Sequence, residues 1–138
     1  MSMKADQFSS LFSQDRLDAI FPPERSDEFF DALFGDPDEG AYDIRLAFKE
    51  VRNDRLHFNL ELHQRPGKCL ACNVTYGLPK VFERHPIINI NGIVEQINAL
   101  MNGHGRCAGW KLDKSKEISR QLHVVPLIVD IEPQTVSR

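Results

Sequence analysis

The feature that most constrains the fold is a regular alternation of apolar and polar residues, which begins at Tyr42 and resumes after a polar break at Asn53-Asp54. In residues 42–48 and again in residues 56–62, every second residue is apolar. Successive side chains of a β-strand point to opposite faces of a sheet, so this period of two predicts two strands that each bury one face. The polar break suits a turn, and we expect the two strands to pair antiparallel.

A second turn signal extends this pattern. Pro66-Gly67 fits the middle of a type II turn, because proline presets φ and glycine accepts a positive φ. Residues 70–76 then continue an apolar face. The sequence therefore predicts a β-hairpin at Leu56–Tyr76 and, together with the preceding strand, an antiparallel meander.

The segments on either side of these strands have the spacing of helices. Residues 1–34 carry apolar residues, many of them phenylalanine, three and four positions apart, which predicts core-facing helices. Ser26 is expected to cap the last of these helices and Gly35 to end it. Residues 92–102 repeat the helical spacing, with Asn91 as the expected N-cap.

The last strong element is the run Leu122–Ile131, which is rich in valine and isoleucine. A continuous apolar run of this kind predicts a strand that is buried on both faces. Pro126 lies within the run and indicates a bulge or an edge position, because proline has no N–H to donate to a neighbouring strand.

Together these patterns predict one α+β domain over residues 1–138. We expect an antiparallel sheet of about four or five strands within residues 41–131, with the N-terminal helices and the internal helix 92–102 packed on one face. The other face is expected to be either solvated or a dimer surface. A homodimer through a sheet face or a sheet edge is therefore one expected assembly.

Composition narrows the classes of function. The 138 residues carry a net charge of −3, which argues against a nucleic-acid-binding protein, since such proteins usually present a basic face. Three cysteines are few and odd in number, which favours a reducing compartment over a disulfide scaffold. The sequence shows neither the pattern of a signal peptide nor an apolar run of about 18 residues. We therefore expect a cytoplasmic protein without a membrane partner.

Two cysteines, Cys69 and Cys72, form a C-x-x-C pair. Zinc favours such pairs, because a tight turn lets two thiolates converge on one tetrahedral ion. His104 and Cys107 are the preferred remaining ligands, and the alternatives are His63 and His85. If the segment is instead a regular strand, the two cysteines point to opposite faces and Cys72 fills the core. A redox pair is the third interpretation, although such a pair usually begins a helix.

A second group of polar residues is His57, Glu61 and His63 on the polar face of the second strand. Two imidazoles and a carboxylate can bind a metal or exchange protons. Polar residues are also what an uncovered sheet face requires. Arg45 and Lys49 are expected on the same face, where positive charge would disfavour a bound cation.

A resemblance to a small family of uncharacterised bacterial proteins is carried by the run RPGKCLACNVTYGLP at residues 65–79, with Val81-Phe82 and Arg84-His85-Pro86. It extends from the N-terminal helices to Leu122–Leu127. Some members are automatically labelled pancreas/duodenum homeobox protein, but a homeodomain needs a basic recognition helix with a Trp-Phe pair, and Trp110 is followed by lysine. The resemblance implies a bacterial cytoplasmic origin and supplies no activity, cofactor or functional residue.

Three hypotheses for the function follow from these observations. The leading one is a non-enzymatic binding or interaction module with a protein or small-molecule partner, because no complete catalytic motif is present. The second is a domain stabilised by structural zinc at Cys69, Cys72, His104 and Cys107. The third is a small enzyme that uses histidine and glutamate as acid and base, drawn from His57, Glu61, His63 and His85.

Overall fold

The structure is a computed structural model that describes residues 5–36, 40, 42–52, 55–67, 78–101 and 106–132. The described residues form five helices and five strands, namely α1 (Ala5–Leu11), α2 (Gln14–Ile20), α3 (Glu24–Phe34), β1 (Tyr42–Arg52), β2 (Arg55–Gln64), α4 (Leu78–Arg84), α5 (Ile90–Met101), β3 (Arg106–Leu112), β4 (Lys116–Ser119) and β5 (Leu122–Glu132). All strand pairs are antiparallel. The predicted α+β fold is confirmed.

The sheet has the strand order β1-β2-β5-β3, and β4 pairs with the same edge of β5 as β3 does, nearer the start of that strand. In the β2–β5 pair, Leu56 lies opposite Val129 and Leu60 opposite Val125. The strand predicted at Leu122–Ile131 is therefore a central strand, as its continuous apolar run indicates.

The predicted meander is wrong in its strand pairing. Gly67 does adopt a positive φ of 75°, as a type II turn requires. However, β1 pairs with one edge of β2 and β5 pairs with the other edge along Arg55–His63. A strand has only two edges, so β2 has none left for a hairpin partner from residues 70–76, which lie outside the described residues.

All five described helices contribute to the packing on one face of the sheet, which we call the inner face. Burying each large apolar side chain there contributes about 1.5–3 kcal/mol relative to exposure. Edge-to-face ring contacts join helix to sheet and helix to helix, with centroids 5.2 Å apart for Phe12–Phe58 and 5.7 Å apart for Phe29–Phe82. The buried strand residues of this core are Tyr42, Ile44, Leu46, Leu56, Phe58, Leu60, Leu62, Val125, Leu127 and Val129.

The helix ends follow the predicted chemistry only in part. Gly35 ends α3 with a left-handed φ of 81°, as predicted. Asn91 is not the cap of α5, because that helix already begins at Ile90. Asn89 caps it instead: its φ is 49°, which asparagine tolerates, and its Oδ1 accepts a hydrogen bond from the N–H of Gly92 at 3.2 Å.

Pro126 lies in the central strand rather than at a sheet edge, so the structure corrects that prediction. Its carbonyl accepts a hydrogen bond from the N–H of Asp113, 2.9 Å away. The nitrogen and carbonyl of one strand residue point to the same side, so the proline nitrogen also faces that side. There β3 has ended at Leu112 and β4 begins only at Lys116. The missing N–H therefore faces a gap between two neighbouring strands and breaks no ladder.

In the described part of the chain, no helix has both the length and the apolar character that crossing a membrane requires.

Candidate binding face

The face of the sheet opposite the helices brings most of the candidate residues together. We call it the outer face. Strand register places its residues in rows, because Cα partners on neighbouring strands share a face. One row contains Arg45, Glu61, Val124 and Lys116, and another contains His57, Ile128 and Lys111. Its other members are Asp43, Ala47, Glu50, Arg55, Asn59, His63, Gly109, Ser119, Leu122, Pro126 and Asp130.

The centre of the outer face is apolar. Leu122, Val124, Pro126 and Ile128 alternate along β5 and form what we call the β5 stripe. Val124 is only 4% exposed and Ile128 8% exposed, yet neither belongs to the core cluster on the inner face. The polar residues of β2 that flank the stripe are half-buried, and Lys111 and Lys116 on its other side are exposed. The outer face therefore has an apolar centre and a charged rim.

The predicted group of His57, Glu61 and His63 is only partly assembled. Glu61 and His63 interact, with the carboxylate Oε1 and the imidazole Nε2 2.9 Å apart. His57 is four residues from Glu61 along an extended strand, which is about 13 Å. Burial lowers the pKa of His57 below its ordinary value of 6.5, so this imidazole favours its neutral form. Within the described residues, no three His, Cys, Asp or Glu side chains are arranged to hold a metal ion.

The expected positive neighbours have other roles. Arg45 lies opposite Glu61, and its guanidinium reaches around the edge of the sheet to Asp18 of α2, 3.0 Å away. This arginine hydrogen bond holds the pKa of the Asp18 carboxyl below its ordinary value. Lys49 falls at the β-bulge between Phe48 and Glu50. Arg45 is thus a link between helix and sheet.

Of the four predicted zinc ligands, Cys69, Cys72 and His104 lie outside the described residues. Cys107 is in β3, where it is half-buried and packs against the core on the inner face. Burial raises the pKa of its thiol to about 11, so the thiol keeps its proton at neutral pH. Zinc binds the thiolate form. The zinc site stays a prediction.

The other two described histidines lie away from the outer face. His85 packs its ring against Phe29, with centroids 4.8 Å apart, and its Nδ1 accepts a hydrogen bond from the N–H of Ile87. His123 is buried in β5 opposite Leu62 on the inner face, with the Glu117 carboxylate 3.6 Å from its Nε2. Neither histidine joins the Glu61–His63 pair.

Side chains from α2 and α3 bind backbone groups at the edge of β1 that does not pair with β2. Ser26 is fully buried, and its Oγ accepts a hydrogen bond from the N–H of Ile44 at 2.8 Å. Gln14 of α2 donates to the carbonyl of Leu46 at 2.8 Å. Ser26 is therefore not the predicted N-cap, since α3 begins at Glu24 and turns this hydroxyl towards the sheet. Side chains bound to edge groups prevent a further strand from pairing there.

The edge of β3 is occupied in a similar way. The N–H of Cys107 donates to Asn98 Oδ1 of α5 at 2.9 Å. The indole N–H of Trp110 donates to Asn91 Oδ1 at 2.8 Å. The sequence did not indicate either contact: Asn91 was expected to cap α5 and Asn98 was not singled out, because single polar residues within amphipathic helices carry no mark of the strand they will face.

Comparison with protein-family models, with curated proteins and with solved structures finds no match. The resemblance to a bacterial family therefore stays a prediction, and the geometry of the outer face is what bears on function.

Proposed function

We propose that this protein is a non-enzymatic interaction module that binds a protein partner through the outer face of its sheet. One observation carries the proposal: the β5 stripe, partly exposed at Leu122 and Pro126 and flanked by exposed lysines, lies on the face opposite all five described helices. Apolar side chains in the middle of a polar rim are the usual anatomy of a protein–protein interface.

The state of the sheet edges supports a face rather than an edge as the binding surface. Backbone groups of Ile44 and Leu46 in β1 are occupied by Ser26 and Gln14, and the N–H of Cys107 in β3 by Asn98. A partner that adds a strand would have to displace these side chains.

The distribution of aromatic rings supports a protein partner over a nucleic acid. Single-stranded nucleic acids bind to sheet faces by stacking their bases on exposed aromatic rings. Every aromatic side chain whose burial the structure describes is in the inner-face core or packs against it. The outer face offers instead the charged side chains of its rim and the partly exposed Leu122 and Pro126 of the β5 stripe.

The arrangement of acid–base groups supports a non-catalytic role. Glu61 and His63 form one hydrogen-bonded pair, whose side chains are 26% and 45% exposed. Acid–base catalysis needs groups that converge on a bound substrate, held in a site from which water is excluded. This pair is partly exposed, and Glu61, its nearer member, is about 13 Å from His57 along β2. The pair therefore suits a polar rim better than a catalytic site.

A screen for turnover tests this proposal. The purified protein is incubated with phosphate esters, carboxylic esters, peptides and nucleoside triphosphates, and Glu61→Gln and His63→Gln are measured beside it. We expect all three proteins to give the same rate as heat-denatured protein. Turnover by the wild type that is lost in either variant would contradict a non-enzymatic role.

A further inference from the structure

We infer that the outer face binds an extended acidic segment of a partner protein, held by Lys111 of β3 and Lys116 of β4. This inference rests on the proposed function and names the chemistry of the partner. It is drawn from the balance of charges on the outer face: among the described residues, the acidic side chains there have basic partners, whereas these two lysines form no ion pair.

The described acidic side chains of the outer face each have a basic neighbour. The pairs are Asp43–Arg65, Glu50–Arg52, Glu61–His63 and Asp130–Arg55, with nitrogen and oxygen 2.9–3.6 Å apart. Arg45 of the same face reaches Asp18 of α2. These charges are therefore balanced within the described part of the chain.

Lys111 and Lys116 differ from these residues. Both are exposed, and among the described residues neither forms an ion pair. Asp113, between them in sequence, turns its carboxylate to the backbone, where Oδ1 accepts a hydrogen bond from the N–H of the next residue at 2.8 Å. Glu117 lies on the inner-face side, with its carboxylate 3.6 Å from Nε2 of His123. This side of the outer face thus presents positive charge, although the chain as a whole has a net charge of −3.

The strand register sets the spacing of the two lysines. Lys111 lies opposite Ile128 and Lys116 opposite Val124, so their Cα atoms are separated by four residues of β5, which is about 13 Å. Side chains four residues apart on an extended segment point to the same side and span the same distance. A helix covers that distance in about nine residues, and side chains nine residues apart point to opposite sides. The spacing therefore fits an extended segment with two acidic residues four positions apart.

The outer face offers an apolar contact between the two lysines. Pro126 lies midway between Val124 and Ile128 along β5 and is half-exposed. In this row β3 has ended and β4 has not begun, so among the described strands none flanks Pro126 on the lysine side. The middle residue of the bound segment faces this proline, and an apolar side chain suits that position. The expected motif is acidic-x-apolar-x-acidic.

Selection from a random decapeptide library displayed on phage tests the inference, at about 50 mM salt, where surface charges are weakly screened. We expect the selected peptides to carry acidic residues four positions apart. A synthetic peptide with the selected motif should bind the wild type with a dissociation constant on the order of 100 μM, because exposed charge pairs are individually weak. Its affinity should fall at least about five-fold at roughly 0.3 M salt.

Paired charge reversals locate the binding site. Lys111→Glu combined with Lys116→Glu should weaken binding of the synthetic peptide at least about ten-fold, because two attractive pairs become repulsive. Arg16→Glu combined with Arg84→Glu makes the same change in net charge at exposed positions of α2 and α4, and it should leave the affinity unchanged. Circular dichroism confirms that each variant is folded.

Four results would overturn the inference. They are a library that yields no binder, selected peptides without an excess of acidic residues, equal losses in the two paired variants, and a single-stranded oligonucleotide that binds the same lysines more tightly than the peptide does. Selected peptides that lack acidic residues but still need the outer face would leave the proposed function standing. The non-enzymatic role is decided separately, by the turnover screen.

Discussion

Replacing Ser26 with alanine should weaken the fold more than any change of an exposed serine. Ser26 is fully buried in α3, and its Oγ is 2.8 Å from the amide nitrogen of Ile44 in β1. Alanine leaves that N–H at a buried sheet edge without its partner. The lost hydrogen bond and the unsatisfied donor together cost about 2–3 kcal/mol, and the better helix propensity of alanine returns about 0.5 kcal/mol. We therefore expect a net loss of about 2 kcal/mol in the free energy of unfolding.

Urea unfolding followed by far-ultraviolet circular dichroism measures this loss. For a chain of 138 residues, 2 kcal/mol corresponds to a fall of roughly 6–8 °C in the melting temperature. Ser10→Ala, at an exposed position of α1, is the matched control and should change stability by less than about 0.5 kcal/mol. If Ser26→Ala unfolds within about 0.5 kcal/mol of the wild type, the reasoning that Ser26 closes the β1 edge is refuted.

Three further predictions concern titration and an ion-pair cluster. Cys107 should react with iodoacetamide at pH 8 at least ~10-fold more slowly in the folded protein than in urea, because its raised pKa keeps the thiol protonated. Mass spectrometry of the tryptic peptide 107–111 distinguishes it from the other cysteines. Equal rates would contradict its burial. His57 has a lowered pKa in the fold, so the unfolded chain binds the proton more readily and stability should fall as pH drops below 6.5. His57→Gln should reduce that fall, and an unchanged pH profile would rule out the contribution of His57. Arg65 contacts the carboxylates of Asp27 and Asp43 at 2.8 and 2.9 Å with a side chain only 14% exposed. Arg65→Ala should lower the free energy of unfolding, measured in urea, by about 1–2 kcal/mol. Arg84→Ala, at an exposed position of α4, should lower it by almost nothing. Equal effects would show that the Arg65 ion pairs do not stabilise the fold.

The elements of the fold that depend on local pattern could be predicted from the sequence. The alternation in residues 42–48 and 56–62 gives β1 and β2, and the apolar run from Leu122 gives β5. The helical spacing of residues 92–102 gives α5, observed over Ile90–Met101. In each case the period of apolar residues reports directly which side of one element is buried.

The parts that depend on distant pairing could not be predicted. Pro66-Gly67 signals a turn but does not say which strand lies beside β2. That position belongs to β5, whose paired residues are 59 to 75 positions later in the sequence. β4 was missed because its four residues are all exposed and show no alternation. α4 was missed because Pro79 and Pro86 obscure its period.

Only the polar half of the candidate binding face could be predicted from the sequence. The polar period of β2 places His57, Glu61 and His63 on one face, and the structure confirms that placement. The apolar half of the same face comes from β5, and only the register between the two strands brings Val124 beside Glu61. Since register is set by the whole sheet, the sequence alone could not join the two halves.

Co-purification with a tagged chain tests the central claim, that the outer face is the binding surface, most directly. We predict that a protein partner retained by the wild type, and by Lys114→Glu at an exposed position between β3 and β4, is lost when Lys111 and Lys116 of the outer face are both changed to glutamate. A partner retained equally by all three chains would contradict the account.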